Sequence, residues 1–160
     1  MVADRSNLRL KAEKHFYQWL NKIGIKYFYI NQQPNKESTL IKESGGKRPD
    51  FLLFYDGRQV LVDVKCLDYV SDGKDVWFCI LKTEIKRLVE TEKITSIPVW
   101  LAISAYETWC PRQPEWYFIL ARNLYDMRGS DTLCTPKYRS ISIGDCLTVK
   151  TKTGIARIFT

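Results

Sequence analysis

Between Ser6 and Ile23 the apolar residues Phe16, Trp19, Leu20 and Ile23 recur at i, i+3, i+4 and i+7, and Gly24 follows directly. That spacing lines one face of a helix, and a glycine just past the last periodic residue is a stop signal. Asp4 or Ser6 is a suitable N-cap. The next stretch, IKYFYI at 25–30, has the aromatic and β-branched composition of a strand. A polar segment (NQQPNKE) and a short apolar piece (STLIK) lead to ESGGKR, which reads as a flexible basic loop. Then KRPDFLLFYDGRQVLVDVKC (47–66) offers two apolar runs joined at Asp56-Gly57. A polar, acidic loop is expected around LDYVSDGKD and a helix from residue 81 to about 93. IPVWLAIS (97–104) is a near-continuous apolar run, as in a strand covered on both faces. WYFIL (116–120) reads as another strand, and ARNLYDMRG as a short helix ended by Gly129. The alternating tail from Tyr138 suggests short strands or a small hairpin. The order α-β-β-β-α-β-β describes an α/β single domain with a central mixed β-sheet flanked by helices.

Asp-Gly between apolar runs is a strong hairpin signal, because a type I′ turn needs φ > 0 at both central positions. With a two-residue turn Tyr55 faces Arg58, followed outward by Phe54–Gln59, Leu53–Val60, Leu52–Leu61 and Phe51–Val62. The next pair is Asp50 opposite Asp63, and Lys65 lies beyond it, opposite Arg48. Side chains alternate along a strand. One face therefore carries Phe51, Leu53, Val60, Val62 and Val64, and the other carries Leu52, Leu61, Asp50, Asp63 and Lys65. Directly opposed residues have Cβ atoms about 4.5–5.5 Å apart, where two carboxylates repel. Lys65 can offset part of that charge and a divalent metal the rest. A three-residue turn would separate the acids. The plainer alternative has Asp50 capping a turn after Pro49, with Asp63 and Lys65 as an exposed ion pair.

Composition narrows the classes. At 160 residues, 45% hydrophobic and 13% aromatic, the chain is a globular domain rather than a disordered one. A net charge of +7 suits a polyanion such as nucleic acid. Five cysteines (Cys66, Cys79, Cys110, Cys134 and Cys146) without a C-x-x-C pair, beside the single His15, argue against a zinc site. They read as reduced thiols of an intracellular protein, and His15 as a structural residue. The charged N-terminus lacks a secretory apolar region, and no apolar run approaches the ~20 residues that span a bilayer. The expectation is a soluble, cytoplasmic protein with no membrane partner.

Paired carboxylates beside a lysine suit phosphodiester hydrolysis. Mg²⁺ takes oxygen ligands and keeps several waters, lowers the pKa of a bound water and offsets charge on phosphate. A neighbouring ammonium stabilises the transition state. Pro49-Asp50, twelve intervening residues and Asp63-Val64-Lys65 resemble the P-D…(D/E)-x-K signature of the PD-(D/E)XK nuclease superfamily. Its members include restriction enzymes, archaeal-type Holliday junction resolvases, some intron homing endonucleases, and repair and phage nucleases. The resemblance implies a restriction endonuclease-like core over about 6–104, with a C-terminal extension over about 105–160 of one 1–160 domain. It implies that Asp50 and Asp63 hold Mg²⁺ (Mn²⁺ as substitute), with the Val64 backbone carbonyl as a further ligand. Lys65 would be the catalytic lysine. It also implies an acid on the first helix. Glu13 fits, lying about 60° from Phe16 and about 20° from Leu20 around the helix, at the edge of its apolar face. Asp63 stands where glutamate is more frequent, and its shorter reach bears on metal geometry.

DNA contacts are expected at Lys47 and Arg48 in the basic loop and at Lys82, Lys86 and Arg87 on the second helix. Lys137, Arg139, Lys150 and Lys152 in the tail are further candidates. The reading is a Mg²⁺-dependent endodeoxyribonuclease of site-specific homing or restriction type, with a Holliday junction resolvase as the alternative. A non-catalytic nucleic-acid-binding module and an RNA-directed role are further alternatives. By analogy, two-strand cutting suggests a homodimer or higher assembly.

Overall fold

The computed structural model describes residues 5–30, 41, 43–71, 75–105, 116–127 and 134–160. Helix α1 (Arg5–Ile23) forms where the apolar spacing places it and buries Ala12, Phe16, Trp19 and Leu20. It ends as its sequence indicates. Gly24 takes φ +70°, its amide donates to Asn21 C=O at 3.2 Å, and the Ile25 amide donates to Leu20 C=O at 3.1 Å. This pair of bonds satisfies the last carbonyls of the helix.

Six strands form the main sheet: β1 (Lys26–Tyr29), β2 (Phe51–Tyr55), β3 (Arg58–Leu67), β6 (Val99–Ala105), β7 (Trp116–Leu120) and β9 (Leu147–Val149). Their order is β1-β2-β3-β6-β7-β9. All neighbours run antiparallel except β3 and β6, which are parallel. The chain passes from β3 to β6 through β4 (Tyr69–Ser71), β5 (Val76–Leu81) and α2 (Lys82–Thr95). The remaining elements are α3 (Ala121–Asp126), β8 (Tyr138–Ser142) and α4 (Lys152–Ala156). The result is a mixed α/β single domain with a central mixed sheet flanked by helices.

A core lies on each face of the sheet. On one, Phe16 of α1 meets Phe51 and Trp116 edge-on at 5.2 and 4.8 Å, over Leu53, Val60, Val62 and Val64. On the other, Ile85 and Leu88 of α2 pack on Leu61, Val99, Leu101 and Ile103. β6 is thus covered on both sides, as its unbroken apolar run indicates.

The hairpin register is the one the turn dictates. Asp56 and Gly57 take φ of 49° and 73°, and Tyr55↔Arg58 through Phe51↔Val62 pair as the two-residue turn requires. The ladder stops there. The Asp50 amide donates to Val62 C=O at 3.0 Å, whereas the Asp50 C=O accepts from the Ile30 amide at 2.8 Å. A regular strand residue directs both groups at one neighbour. The backbone therefore turns over at Asp50, and the expected extension to Asp50–Asp63 and Arg48–Lys65 is absent from the paired residues.

Three other expectations are corrected. The expected acidic loop at 67–75 contains β4 and leads into β5, which with β8 make a second, three-stranded antiparallel sheet. The tail forms the short strands expected but not the hairpin: β8 joins β5 while β9 joins β7 in the main sheet. The cysteines are not all thiols, because Cys79 on β5 and Cys134 form a disulfide with Cα atoms 6.1 Å apart. Cys66 and Cys146 are thiols. Burial first, and then Asp145, push the Cys146 thiol up to about 12. Asp4, Cys110, Gly129 and most of the STLIK piece lie outside the described residues. Among the described residues, no helix is long and apolar enough to cross a membrane.

The turn carries the first prediction. A Cβ on Gly57 would meet nothing within 4 Å, so its replacement is felt only through φ +73°. Gly57→Ala should cost about 1–2 kcal/mol, the strain of a left-handed L-residue. Urea unfolding should show a lower midpoint with an unchanged m-value.

Candidate active site

At the end of the hairpin β3 runs on past the last paired residue of β2. The Leu61 amide donates to Pro98 C=O at 2.9 Å, on the β6 side. Alternation along the strand then turns the N–H and C=O of Val64 toward the β2 side, where the ladder has ended. The Asp50 carboxylate takes the place of a strand partner, its Oδ2 accepting from the Val64 amide at 2.8 Å. Its Oδ1 accepts from Arg9 of α1 at 3.0 Å. Asp50 therefore faces α1 through Arg9, whereas Asp63 and Lys65 bond toward α2. The charges meet at the hairpin's end rather than along one face.

Asp63 is sealed from solvent. Lys65 Nζ lies 2.6 Å from its Oδ2, and Lys47 Nζ lies 3.0 Å from Oδ2 and 2.8 Å from Oδ1. Lys47 donates its hydrogen bond to Oδ2, which leaves the buried Oδ1 without one. Both ammonium groups also contact Glu84 Oε1, Lys65 at 2.7 Å. Glu84 sits in the first turn of α2 and, like Arg9 and Tyr29, is a site residue that sequence reasoning missed. A first-turn acid is ordinary at a helix N-terminus, so nothing local marks it.

The loop before Asp50, expected to be flexible, is fastened to α2. Arg87 donates to Gly46 C=O at 3.2 and 3.0 Å. The buried Thr91 hydroxyl donates to Lys47 C=O at 2.6 Å and accepts from the Lys47 amide at 2.8 Å. Gly46 fits so closely that an added Cβ would come within 3.0 Å of Thr91 Oγ1. Two residues expected to contact DNA are thereby engaged inside the protein: Lys47 with the acids, Arg87 with the loop. Arg48 is half-buried, and its Nε is sealed from solvent.

Glu13 is buried on α1 and accepts from Arg9 Nε at 2.9 Å and from the Tyr29 hydroxyl of β1 at 2.7 Å. Burial, and then the bond to Glu13, push the Tyr29 phenol up to about 12. Burial alone would lower the Lys65 pKa, but Asp63 and Glu84 reverse this and hold it above its ordinary value. Lys65 is thus a fixed ammonium. Burial would raise both Asp63 and Glu84, yet Lys65 and Lys47 hold each below the usual carboxylate range. Asp50 goes the other way. Burial first, then the charges of Asp63 and Glu13, push it up to about 7.

Among the described residues, no three His, Cys, Asp or Glu side chains are arranged to hold a metal ion. A hard cation needs fewer protein ligands, since Mg²⁺ retains waters and shares substrate oxygens. The chemistry of the donor set suits one: two buried carboxylates with excess negative charge at Asp50, whose oxygens are held here by Arg9, Lys47, Lys65 and the Val64 amide, donors that a cation would have to replace in part.

The fold is shared with a resolvase. The Holliday junction resolvase Hjc of Archaeoglobus fulgidus matches with a TM-score of 0.57, over 94% of this chain and 99% of that one. At 14% identity the likeness is one of fold. No protein-family model and no curated protein match the chain.

The charge balance has a pH signature. The folded Asp50 titrates above its ordinary value of 3.8, so between that pH and about 7 the native state binds more protons. Stability contributed by Asp50 must therefore fall as pH rises through that window. Asp63 and Glu84 have the opposite sign, stabilising above their unfolded pKa and losing this as pH falls. Asp50→Asn keeps an acceptor for Val64 and removes only the first effect. His15, whose pKa burial lowers, acts in the opposite direction in this window, so the test is the difference: on going from pH 5 to pH 7 in urea unfolding, the native protein should lose stability relative to Asp50→Asn.

Proposed function

We propose that the protein is a metal-dependent DNA endonuclease of the resolvase kind, hydrolysing phosphodiester bonds in branched DNA. The observation that carries this reading is the buried Asp50–Asp63 pair with the fixed ammonium of Lys65 at its side, set in a resolvase-like fold. The net charge of +7 suits the same partner. The likeness favours the resolvase over the homing or restriction reading. A homodimer, as two-strand cutting would require, belongs to the proposal. The complete acid and lysine set speaks against a non-catalytic module.

Asp50, Asp63 and the Val64 carbonyl would hold the cation, Mg²⁺ or Mn²⁺. When bound, the cation supplies an activated water and offsets charge on the phosphate. Asp63 and Glu84 raise the Lys65 pKa against the effect of burial, so Lys65 acts as an ammonium and not as a base in this reading. Its ammonium orients a phosphate oxygen and stabilises negative charge developing there. Glu84 holds Lys65 in place, and Arg9 and Tyr29 fix Glu13 beside Asp50.

Incubation with four-way junctions, plasmid, single-stranded DNA and RNA, in Mg²⁺ or EDTA, tests this. Junctions should be cut in Mg²⁺ and left intact in EDTA. Lys65→Ala and Asp63→Ala should each lower the rate about a hundredfold or more, with junction binding in EDTA retained. Discrete plasmid fragments would instead favour a site-specific enzyme, and no metal-dependent cleavage of any substrate would exclude a nuclease.

A further inference from the structure

Beside the acid cluster, on the far side of the first turn of α2, lies a cavity of about 470 Å³ that the nuclease reading does not use. Its rim carries Lys82, Lys86 and Arg139, and its floor is Ile85 and Leu124, with Tyr125 at its side. Three elements supply it: α2 gives the two lysines and Ile85, α3 gives Leu124 and Tyr125, and β8 gives Arg139. The chain order hides this, since Arg139 is reached only through the second sheet. No carboxylate lines the cavity. The Arg139 guanidinium is braced by a bond to Met127 C=O, and its buried Nε–H has no hydrogen-bond partner among the described residues. Tyr125 is 51% exposed, so its ring is accessible at the side of the cavity.

Cations around an apolar floor with an aromatic ring are the parts of a site for single-stranded nucleic acid. The cations take the phosphates, and the ring takes a base, whose π-face is hidden while it is stacked in a duplex. The volume lies within the range of small-ligand pockets, roughly 300–1,000 Å³. Position adds to this. Glu84 contacts Lys65, while Lys82 and Lys86, two residues away on either side, line the cavity. Residues two apart on a helix point about 160° apart the short way round, so one helix diameter, about 10 Å, separates the two sites. That is about three nucleotide steps at ~3.4 Å per strand.

We propose that this cavity takes one unpaired nucleotide of the DNA, its base on Tyr125 and its phosphate among Lys82, Lys86 and Arg139, about three nucleotides from the bond to be cut. The protein would thereby distinguish partly single-stranded DNA, or a junction whose branch-point bases are unpaired, from uninterrupted duplex. The inference rests on the nuclease reading for its register, but binding in EDTA tests it without cleavage.

The experiment compares the full chain with Tyr125→Ala, Tyr125→Phe and Lys86→Ala. Fluorescence anisotropy in EDTA follows binding to a fully paired duplex and to a duplex with a short single-stranded arm bearing 2-aminopurine near the branch. Tyr125→Ala should weaken binding of the armed DNA about tenfold, change duplex binding less than twofold, and abolish quenching of the 2-aminopurine. Tyr125→Phe should restore both. Lys86→Ala should weaken armed-DNA binding and reduce its salt slope by about one. Equal effects of Tyr125→Ala on both DNAs, or none on either, overturn the proposal. So does displacement of the armed DNA by free deoxynucleotide monophosphate as efficiently as by an oligonucleotide, which would mark a small-molecule pocket. A chain that binds armed DNA as described but cuts nothing would remove the nuclease reading and leave the pocket standing.

Discussion

Moving an ionised carboxylate out of water costs several kcal/mol unless cations and donors replace the solvent. This chain buries two of them, Asp50 and Asp63, at the end of a single hairpin. Much of the surrounding architecture supplies the replacements. Lys47 reaches Asp63 only because Arg87 and Thr91 fasten the Gly46–Lys47 backbone to α2. Arg9 reaches Asp50 because α1 crosses the sheet with its polar edge toward the hairpin end. Removal of one partner of such a buried pair commonly costs about 3–5 kcal/mol, because the other charge is left uncompensated.

The compensation is incomplete in one respect. The cluster contains four carboxyl groups (Glu13, Asp50, Asp63, Glu84) and three cations (Arg9, Lys47, Lys65). The two lysines are committed to Asp63 and Glu84, and Arg9 is shared between Glu13 and Asp50. The deficit falls on Asp50, whose proton affinity is raised by its burial first and then by the uncompensated charges of Asp63 and Glu13. A buried site short of one positive charge and lined by oxygen beside an ammonium has the electrostatic form expected where a hard cation and a phosphate meet.

Legibility from sequence followed the range of the interactions. Asp56-Gly57 fixed five cross-strand pairs because a two-residue turn is a local constraint. α1, α2 and β6 were readable from periodicity and from an apolar run that needs cover on both faces. Asp50 was expected opposite Asp63 on one face, and the structure instead places it at the hairpin's end. The register led to that expectation, but the position of Asp50 is set by a backbone turn and by the Val64 amide left open beyond β2. The second sheet was illegible because β4 and β8 are 3 and 5 residues long, and β8 pairs with a strand distant in sequence. The Cys79–Cys134 bridge, 55 residues apart, was hidden with it. Glu84 carries no signal until α2 is laid against β3.

The Asp50 carboxyl reports on this charge balance directly. Its ¹³C resonance, assigned by comparison with Asp50→Asn, can be followed through a pH titration in EDTA and again with saturating Mg²⁺. A midpoint near 7 in EDTA, falling toward the ordinary 3.8 with Mg²⁺, is the expected result. An ordinary midpoint in EDTA, or one that Mg²⁺ does not move, would contradict the idea that this cluster is built to take a cation.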